Sequence, residues 1–406
     1  MYMGSSSSLR RSSARGSGWF AWQPGGRKRA LSLLFALLTF TVAAFAEDGG
    51  ASAWLHVALP RDAPVGLIDF SMGQSTAGVR GVSMLLDLHT QLLLRNSGPK
   101  TIRGLMLRVE AQDVTPGGQG SVTVPSLNVP AGETFAVRID LELLRPFPVS
   151  KSSGPLVQVT LDGVIFSDLS FYGQDKLDSR RTLTIYELEA RRDRLYFSKL
   201  IETGQISALR EELNFGLIDL RPPQLGLELL RDLKPKTRQD DQPVQVSFVA
   251  FPTSPVQPLT GAAHIQGNEV REPHVEVRNN STKAVKTIEL GWILRDDRGR
   301  DYMAGSLPEN LQLGPVQTGR LSQQGVLRFS HPSGQPMLIG SVSAFISNVE
   351  FADGNLWIPT RTDISNANVD PVVRRGMGAS PEQQRLTDIY RKKGLTALAV
   401  ELKKVN

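Results

Sequence analysis

The stretch NVEFADGNLWIP, residues 348–359, sets Val349 and Phe351 two apart, followed by Asp353 and Trp357. GVIFSDLSFYG, residues 163–173, repeats that spacing as Val164, Phe166, Asp168 and Tyr172, each 185 positions earlier. Residues two apart share one face of a strand, so each Val/Phe pair faces a core. Asp353-Gly354 is a hairpin turn signal, and Trp357 or Tyr172 anchors the strand that follows. One carboxylate per copy, without a partner at a useful spacing, is a poor general acid or metal ligand. The motif reads as a fold element built twice.

The repeat extends in both directions. HVALPRDAPV (residues 56–65) parallels FVAFPTSPV (248–256), each a short strand stopped by Pro60 or Pro252, as at a sheet edge. LLLRNSGPKTIRGLMLRV parallels VEVRNNSTKAVKTIELGWIL: Asn96-Ser97 matches Asn280-Ser281, and after a one-residue gap Leu105, Leu107, Val109 and Ala111 match Ile288, Leu290, Trp292 and Leu294. Leu127 and Val129 match Leu311 and Leu313 ahead of Pro130 and Pro315, and Val159 and Leu161 match Ala344 and Ile346. Short alternating strands with Pro/Gly turns, in copies of about 120 residues, predict a mainly β chain of two tandem immunoglobulin-like antiparallel β-sandwiches. They are placed at 47–174 and 244–362.

Between them, residues 175–243 predict a helical connector. Asp178 or Ser179 caps its main helix and Gly204 stops it. A shorter helix follows near Ser207 to Leu213, and one more helical turn falls in RPPQLGLELLRDLKPKTRQDDQP. Residues 363–379 read as a flexible tether and 380–406 as a C-terminal amphipathic helix. Ser380 and Gln383 form its capping box, with Pro381 at the first helical position. Its stripe of Leu386, Ile389, Leu395, Leu398 and Leu402 is the candidate partner-binding surface, together with Arg191 and Arg192 in the connector. Each sandwich is expected to close without this helix.

The order of an Asn-Ser turn, an alternating strand, an L-x-[LV] strand before a Pro/Gly turn and the V-x-F-x-D ending resembles bacterial exported proteins with tandem immunoglobulin-like, CARDB-like domains. The resemblance covers both repeats. It implies a fold and, by analogy, binding or scaffolding; it implies no catalytic residue.

Composition narrows the chemistry further. The 406 residues include no cysteine, which excludes disulfides, thiol catalysis and cysteine-ligated metal. None of the five histidines pairs at metal-ligand spacing, and H-E-x-x-H, G-x-S-x-G, P-loop and G-x-G-x-x-G motifs do not occur. In DDRGRD, residues 296–301, two arginines oppose a calcium ion. No catalytic residue, cofactor or metal is therefore assigned. Arg27, Lys28 and Arg29 precede an apolar run over residues 30–45, and Ala44-Phe45-Ala46 follows the pattern of a cleavage site before Glu47. Residues 1–46 read as a signal peptide, with membrane contact only if it stays uncleaved. Six of the 46 basic residues precede Glu47, which leaves 40 against 40 acidic ones, so net charge gives no support to a nucleic-acid partner. The expected role is a non-catalytic exported binding or scaffold protein of the bacterial envelope, periplasmic or extracellular, engaging an envelope protein or surface polymer. An envelope enzyme or accessory subunit is the alternative.

Overall fold

The computed structural model describes residues 54–115, 117–147, 155–215, 224–230, 242–322, 325–331, 337–366, 368–378 and 380–404. The expected signal peptide and its cleavage site lie outside them. The chain is mainly β, with 50% strand and 22% helix, so sheets form the frame and a few helices fill the spaces between them.

The first copy contains β1 (Leu55–Ala58), β2 (Val65–Ser71), β3 (Thr76–Arg80), β4 (Ser83–Asn96), β5 (Ile102–Glu110), β6 (Gln119–Val124), β7 (Thr134–Pro146), β8 (Val157–Phe166) and β9 (Phe171–Gly173). One sheet runs β1-β8-β5-β6, with β9 on β8; the other sets β2, β3 and β7 against β4. A single apolar cluster draws on both sheets, through Leu88, Leu92 and Val137 from one and Leu105, Val109 and Val164 from the other.

The second copy contains β10 (Gln224–Leu230), β11 (Gln242–Gln245), β12 (Ser247–Val249), β13 (Val256–Gln266), β14 (Glu269–Asn279), β15 (Val285–Asp296), β16 (Asp301–Leu313), β17 (Thr318–Ser322), β18 (Val326–Ser330), β19 (Ile339–Phe351) and β20 (Leu356–Trp357). These form one 11-stranded sheet, with β17 on β14 and β20 on β19 as side branches of its main path. The ladders are largely antiparallel, as expected, but β1 lies parallel to β8 and β12 parallel to β19. Both are edge strands that end just before Pro60 and Pro252.

Strand registers carry the repeat down to its irregularities. In the first copy Leu105, Met106 and Leu107 face Val164, Gly163 and Leu161; in the second Ile288, Glu289 and Leu290 face Val349, Asn348 and Ile346. The register shift between Met106 and Leu107 recurs between Glu289 and Leu290.

One match needs correction. Asn96 corresponds to Asn279, not Asn280, and the one-residue gap disappears. Both side chains are fully buried. Asn96 Nδ2 donates to the carbonyls of Lys100 (2.9 Å) and Val129 (2.8 Å), and Asn279 Nδ2 to those of Lys283 (2.8 Å) and Leu313 (3.2 Å). Each Oδ1 accepts a backbone N–H two residues on, from Gly98 or Ser281. Two adjacent asparagines made the alignment ambiguous; only burial tells them apart. Asn96→Ala and Asn279→Ala are each expected to cost about 1–3 kcal/mol, because buried carbonyls lose their donor. Urea unfolding of each variant checks this, and a neutral result in either copy would mean that the turn is held by other groups.

A second correction concerns residues 224–230, expected in the helical connector. They form β10, which pairs parallel with β16 and antiparallel with β18. Leu225, Leu227 and Leu229 alternate with a period of two and pack on the second core, a strand pattern that outweighs the helical propensity of leucine.

The helices are α1 (Ser179–Glu202), α2 (Ile206–Phe215), α3 (Arg361–Ser365), α4 (Pro371–Gly378) and α5 (Pro381–Lys403). The stretch expected as a tether is thus largely helical and docked: Val369, Val372 and Val373 are buried against Phe251, Ile293, Met303 and Phe345. Helix α5 breaks at Gly394 (φ 80°, ψ −177°). Arg385 and Glu401 meet at 2.6 Å. A straight helix would separate them by about 24 Å at 1.5 Å per residue, so the chain turns back on itself at Gly394.

Candidate functional site: the junction around helix α1

Both aspartates of the repeated motif serve their turns. Lys100 Nζ binds Asp168 at 2.6 Å and Lys283 Nζ binds Asp353 at 2.7 Å, and each lysine lies over the neighbouring Phe166 or Phe351 ring. Asp168 Oδ1 accepts from Ser170 N and Asp353 Oδ1 from Asn355 N. The Lys100 hydrogen bond holds Asp168 well below the usual carboxylate range, and the Lys283 bond brings Asp353 down to about 2. Neither carboxyl holds a proton to donate near neutrality. Asp296 is likewise saturated, accepting from Arg298 N, Arg300 N, Arg300 Nε and Tyr302 Oη. Among the described residues no three candidate metal ligands come together.

The polar chemistry concentrates instead on α1. Its entry is set by Asp162, a buried residue whose carboxylate accepts from Lys176 N, Leu177 N and the Ser179 hydroxyl. Asp178 takes a left-handed conformation and its side chain caps nothing; Asp175 accepts the Arg180 N–H in its place. Gly163 lets the helix approach, since a Cβ there would lie 2.8 Å from Ser179 Cβ and 2.5 Å from the Phe171 ring.

Helix α1 lies between equivalent strand faces of the two copies. On one side Leu183 packs on Met106 and Ile165. On the other, Arg181 reaches Glu289 (2.7 Å), Glu350 (3.5 Å) and Asn348. Met106, Gly163 and Ile165 occupy in the first copy the positions of Glu289, Asn348 and Glu350 in the second. The same location is apolar once and acidic once, and each version meets the matching face of α1.

The second half of α1 carries two ion-pair networks. Glu187 accepts from Arg191 (3.0 Å) and Arg194 (2.8 Å); Arg194 also faces Glu382, which pairs with Arg385, and Arg385 pairs with Glu401. Burial alone would draw the Arg385 pKa down, but Glu382 and Glu401 outweigh it and hold it above its ordinary value. Asp193, fully buried, accepts from Arg192 (2.9 Å), Arg361 (2.8 Å) and the Ser380 hydroxyl. Arg361 also donates to Gln383 at 2.6 Å and lies over the Tyr196 and Phe197 rings. The expected capping box of α5 is therefore half formed. Ser380 Oγ accepts the Gln383 N–H, but the Gln383 side chain turns to Arg361 and the Glu212 carbonyl.

The candidate partner-binding residues all lie in this junction. Leu386, Leu398 and Leu402 are buried with Phe197, Leu200, Leu209 and Leu213, and Ile389 and Leu395 pack on the same cluster. The stripe is covered by the chain's own α1 and α2, because the turn at Gly394 folds both halves of α5 onto them. Arg191 binds Glu187 and the Ser167 carbonyl, and Arg192 binds Asp193 and the Pro359 carbonyl. Sequence reasoning passed over Arg361 and Glu382, whose partners lie up to 188 residues away. The only signal within reach was the density of charge on the buried side of α1. Beside the networks, Tyr196, Arg361, Thr362, Ser365 and Asn366 line an open hollow of about 310 Å³.

No family model matches the chain, and no curated protein does. Among solved structures, the chain is similar to pT26-6p at 10% identity and a TM-score of 0.17, over 83% of this chain and 73% of that one. Red sea bream transglutaminase is similar at 9% identity and a TM-score of 0.12, over 74% of this chain and 32% of that one. Likeness at these scores carries no argument. No helix among the described residues is long and apolar enough to cross a membrane.

Proposed function

We propose that the protein is a non-catalytic exported scaffold of the bacterial envelope, presenting two immunoglobulin-like β-sandwiches to an envelope protein or surface polymer. The sandwiches fall at about 47–174 and 244–362, with β10 lent to the second by the connector. The observation that carries this reading is the junction. Helix α1 is held on both sides by equivalent strand faces and locked by buried ion pairs, a contact that fixes the spacing and orientation of two β units. A scaffold needs that fixed geometry. The partner surface then falls on the β units, since the α5 stripe is already covered.

The test is proximity labelling from the full chain in intact cells of its source, with fractionation in parallel. Enrichment of one envelope protein or polymer, with the chain in the exported fraction and starting at Glu47, supports the proposal. Retention in the cytosol with peptides from residues 30–45 intact would sink it.

A further inference from the structure

The two copies differ at the strand ends that lie away from α1. Gly81-Val82 closes the hairpin of β3 and β4, and Gly267-Asn268 that of β13 and β14, with glycine φ angles of 60° and 59°. In the second copy this turn is docked. Ile339 N donates to the Gly267 carbonyl (2.9 Å), Phe329 N to that of Asn268 (3.0 Å), and Asn268 Nδ2 to that of Phe329 (2.8 Å). In the first copy the hairpin reaches further, because β4 runs 14 residues to Asn96 and β14 runs 11 to Asn279. The difference is about 10 Å of strand. Val82 at the turn is 84% exposed, and Val79 and Phe147 are exposed with it. Phe147 N donates to the Val82 carbonyl at 3.1 Å, which holds the two together. The loop between β5 and β6 adds exposed Val114, and its Gly117 carbonyl accepts from Leu144 N (3.0 Å), three residues before Phe147. The corresponding loop between β15 and β16 carries Asp297, Arg298 and Arg300 instead. The same end is apolar in one copy and charged in the other, so the fold itself does not require apolar residues there.

Exposed apolar side chains gathered at one end of a fold mark a contact surface. The chain that leads into the fold indicates what it meets. Arg145, two residues before Phe147, donates to the carbonyls of Pro155 (3.0 Å) and Leu156 (3.1 Å), and the next residue, Val157, pairs with Leu55. The described fold therefore begins, at Trp54, on this same end. Residues 30–45 carry the apolar run, and from Phe45 to Trp54 the chain reaches at most about 32 Å. While that run lies in a membrane, the apolar end is tethered beside it. The charges agree with a headgroup layer: Arg80 is exposed next to the turn, and Asp113 is already bound by Arg108 at 3.1 Å.

We propose that this end of the first copy, built by Val79, Val82, Val114 and Phe147, seats on a lipid surface. The apolar side chains enter the interfacial layer and Arg80 meets anionic headgroups, so affinity combines buried apolar area with charge attraction. Ile165, where α1 packs, lies eight residues beyond Val157 on the same strand, about 27 Å from the seated end, which leaves the junction clear of the bilayer. Lipid seating adds to the scaffold reading and stands without it, since it requires an anionic membrane and no other partner.

Because the sequence lacks cysteine, one environment-sensitive fluorophore can be placed cleanly at Val82→Cys or, as a control, at Val316→Cys, which is exposed in the second copy. Each labelled protein, as the full chain and as the chain begun at Glu47, is mixed with vesicles of phosphatidylethanolamine and phosphatidylglycerol. The expected result is a blue shift, with quenching by a lipid-borne quencher, at position 82 and neither at position 316. In the chain begun at Glu47, Val82→Asp combined with Phe147→Asp lowers vesicle partitioning at least about tenfold while the melting temperature stays unchanged. A probe at position 82 that remains in water when vesicles are present would overturn the proposal. So would a blue shift that needs no vesicles and grows with protein concentration, which would make this end a contact between two copies of the chain.

Discussion

Deleting residues 380–406 is expected to unfold the helical layer while the β units persist. The stripe of α5 is interior: Leu386, Leu398 and Leu402 are buried against α1 and α2. Truncating one such leucine typically costs about 2–5 kcal/mol, and removing the whole segment exposes Phe197, Leu200, Leu209 and Leu213 together. It also leaves Arg194 and Arg361 without Glu382, Gln383 and Ser380 around them. The loss is therefore of the order of a whole domain's stability, about 5–15 kcal/mol. A single melting transition in the intact chain should split in two, with an early loss of helical signal and dye binding to exposed apolar surface. A truncated chain that melts like the parent would show that the helix is accessory, as the sequence reading expected.

Asp193→Ala is expected to cost about 3–5 kcal/mol, the usual result of breaking a buried ion pair from one side. Asp193 is fully buried and meets two guanidinium groups and a hydroxyl, so its removal strands Arg361 and Arg192 in a dry site. Adding Arg361→Met to Asp193→Ala should recover part of the loss, because the uncompensated cation is gone. Denaturant unfolding of the two single variants and the double variant closes the cycle. Additive losses would mean that the two residues act separately, and a neutral Asp193→Ala would mean that water reaches the site.

How much of this was legible in the sequence differs between the sheets and the junction. The repeat was readable because strand faces follow a period of two that any chain carries locally. Val164/Phe166 and Val349/Phe351 fell where that period put them, in the two cores. The turn asparagines were readable as turns, but which of Asn279 and Asn280 fills the buried place depends on carbonyls 34 residues away. The β10 strand was misread because leucine favours helix and Leu225 and Leu229, four apart, also fit one helical face, and only pairing with β16 and β18 decides between them. Leu169 (φ 64°) stands where Gly354 (φ 80°) turns the second hairpin, a strained conformation for leucine that no local rule predicts.

The sequence by itself determined a mainly β chain, the duplication, the positions of α1 and α2 and the cap of α5, because each rests on residues a few positions apart. Tertiary structure alone decided what those helices touch. The same amphipathic stripe serves a partner or the chain's own core, depending on whether Gly394 turns the helix back, and the glycine is compatible with either. The same arginines make a solvated surface or a buried lock, depending on whether Asp193 and Glu382 meet residues from elements 168 to 188 positions away. Long-range burial sets the energy of charges, and the order of residues along the chain does not contain it.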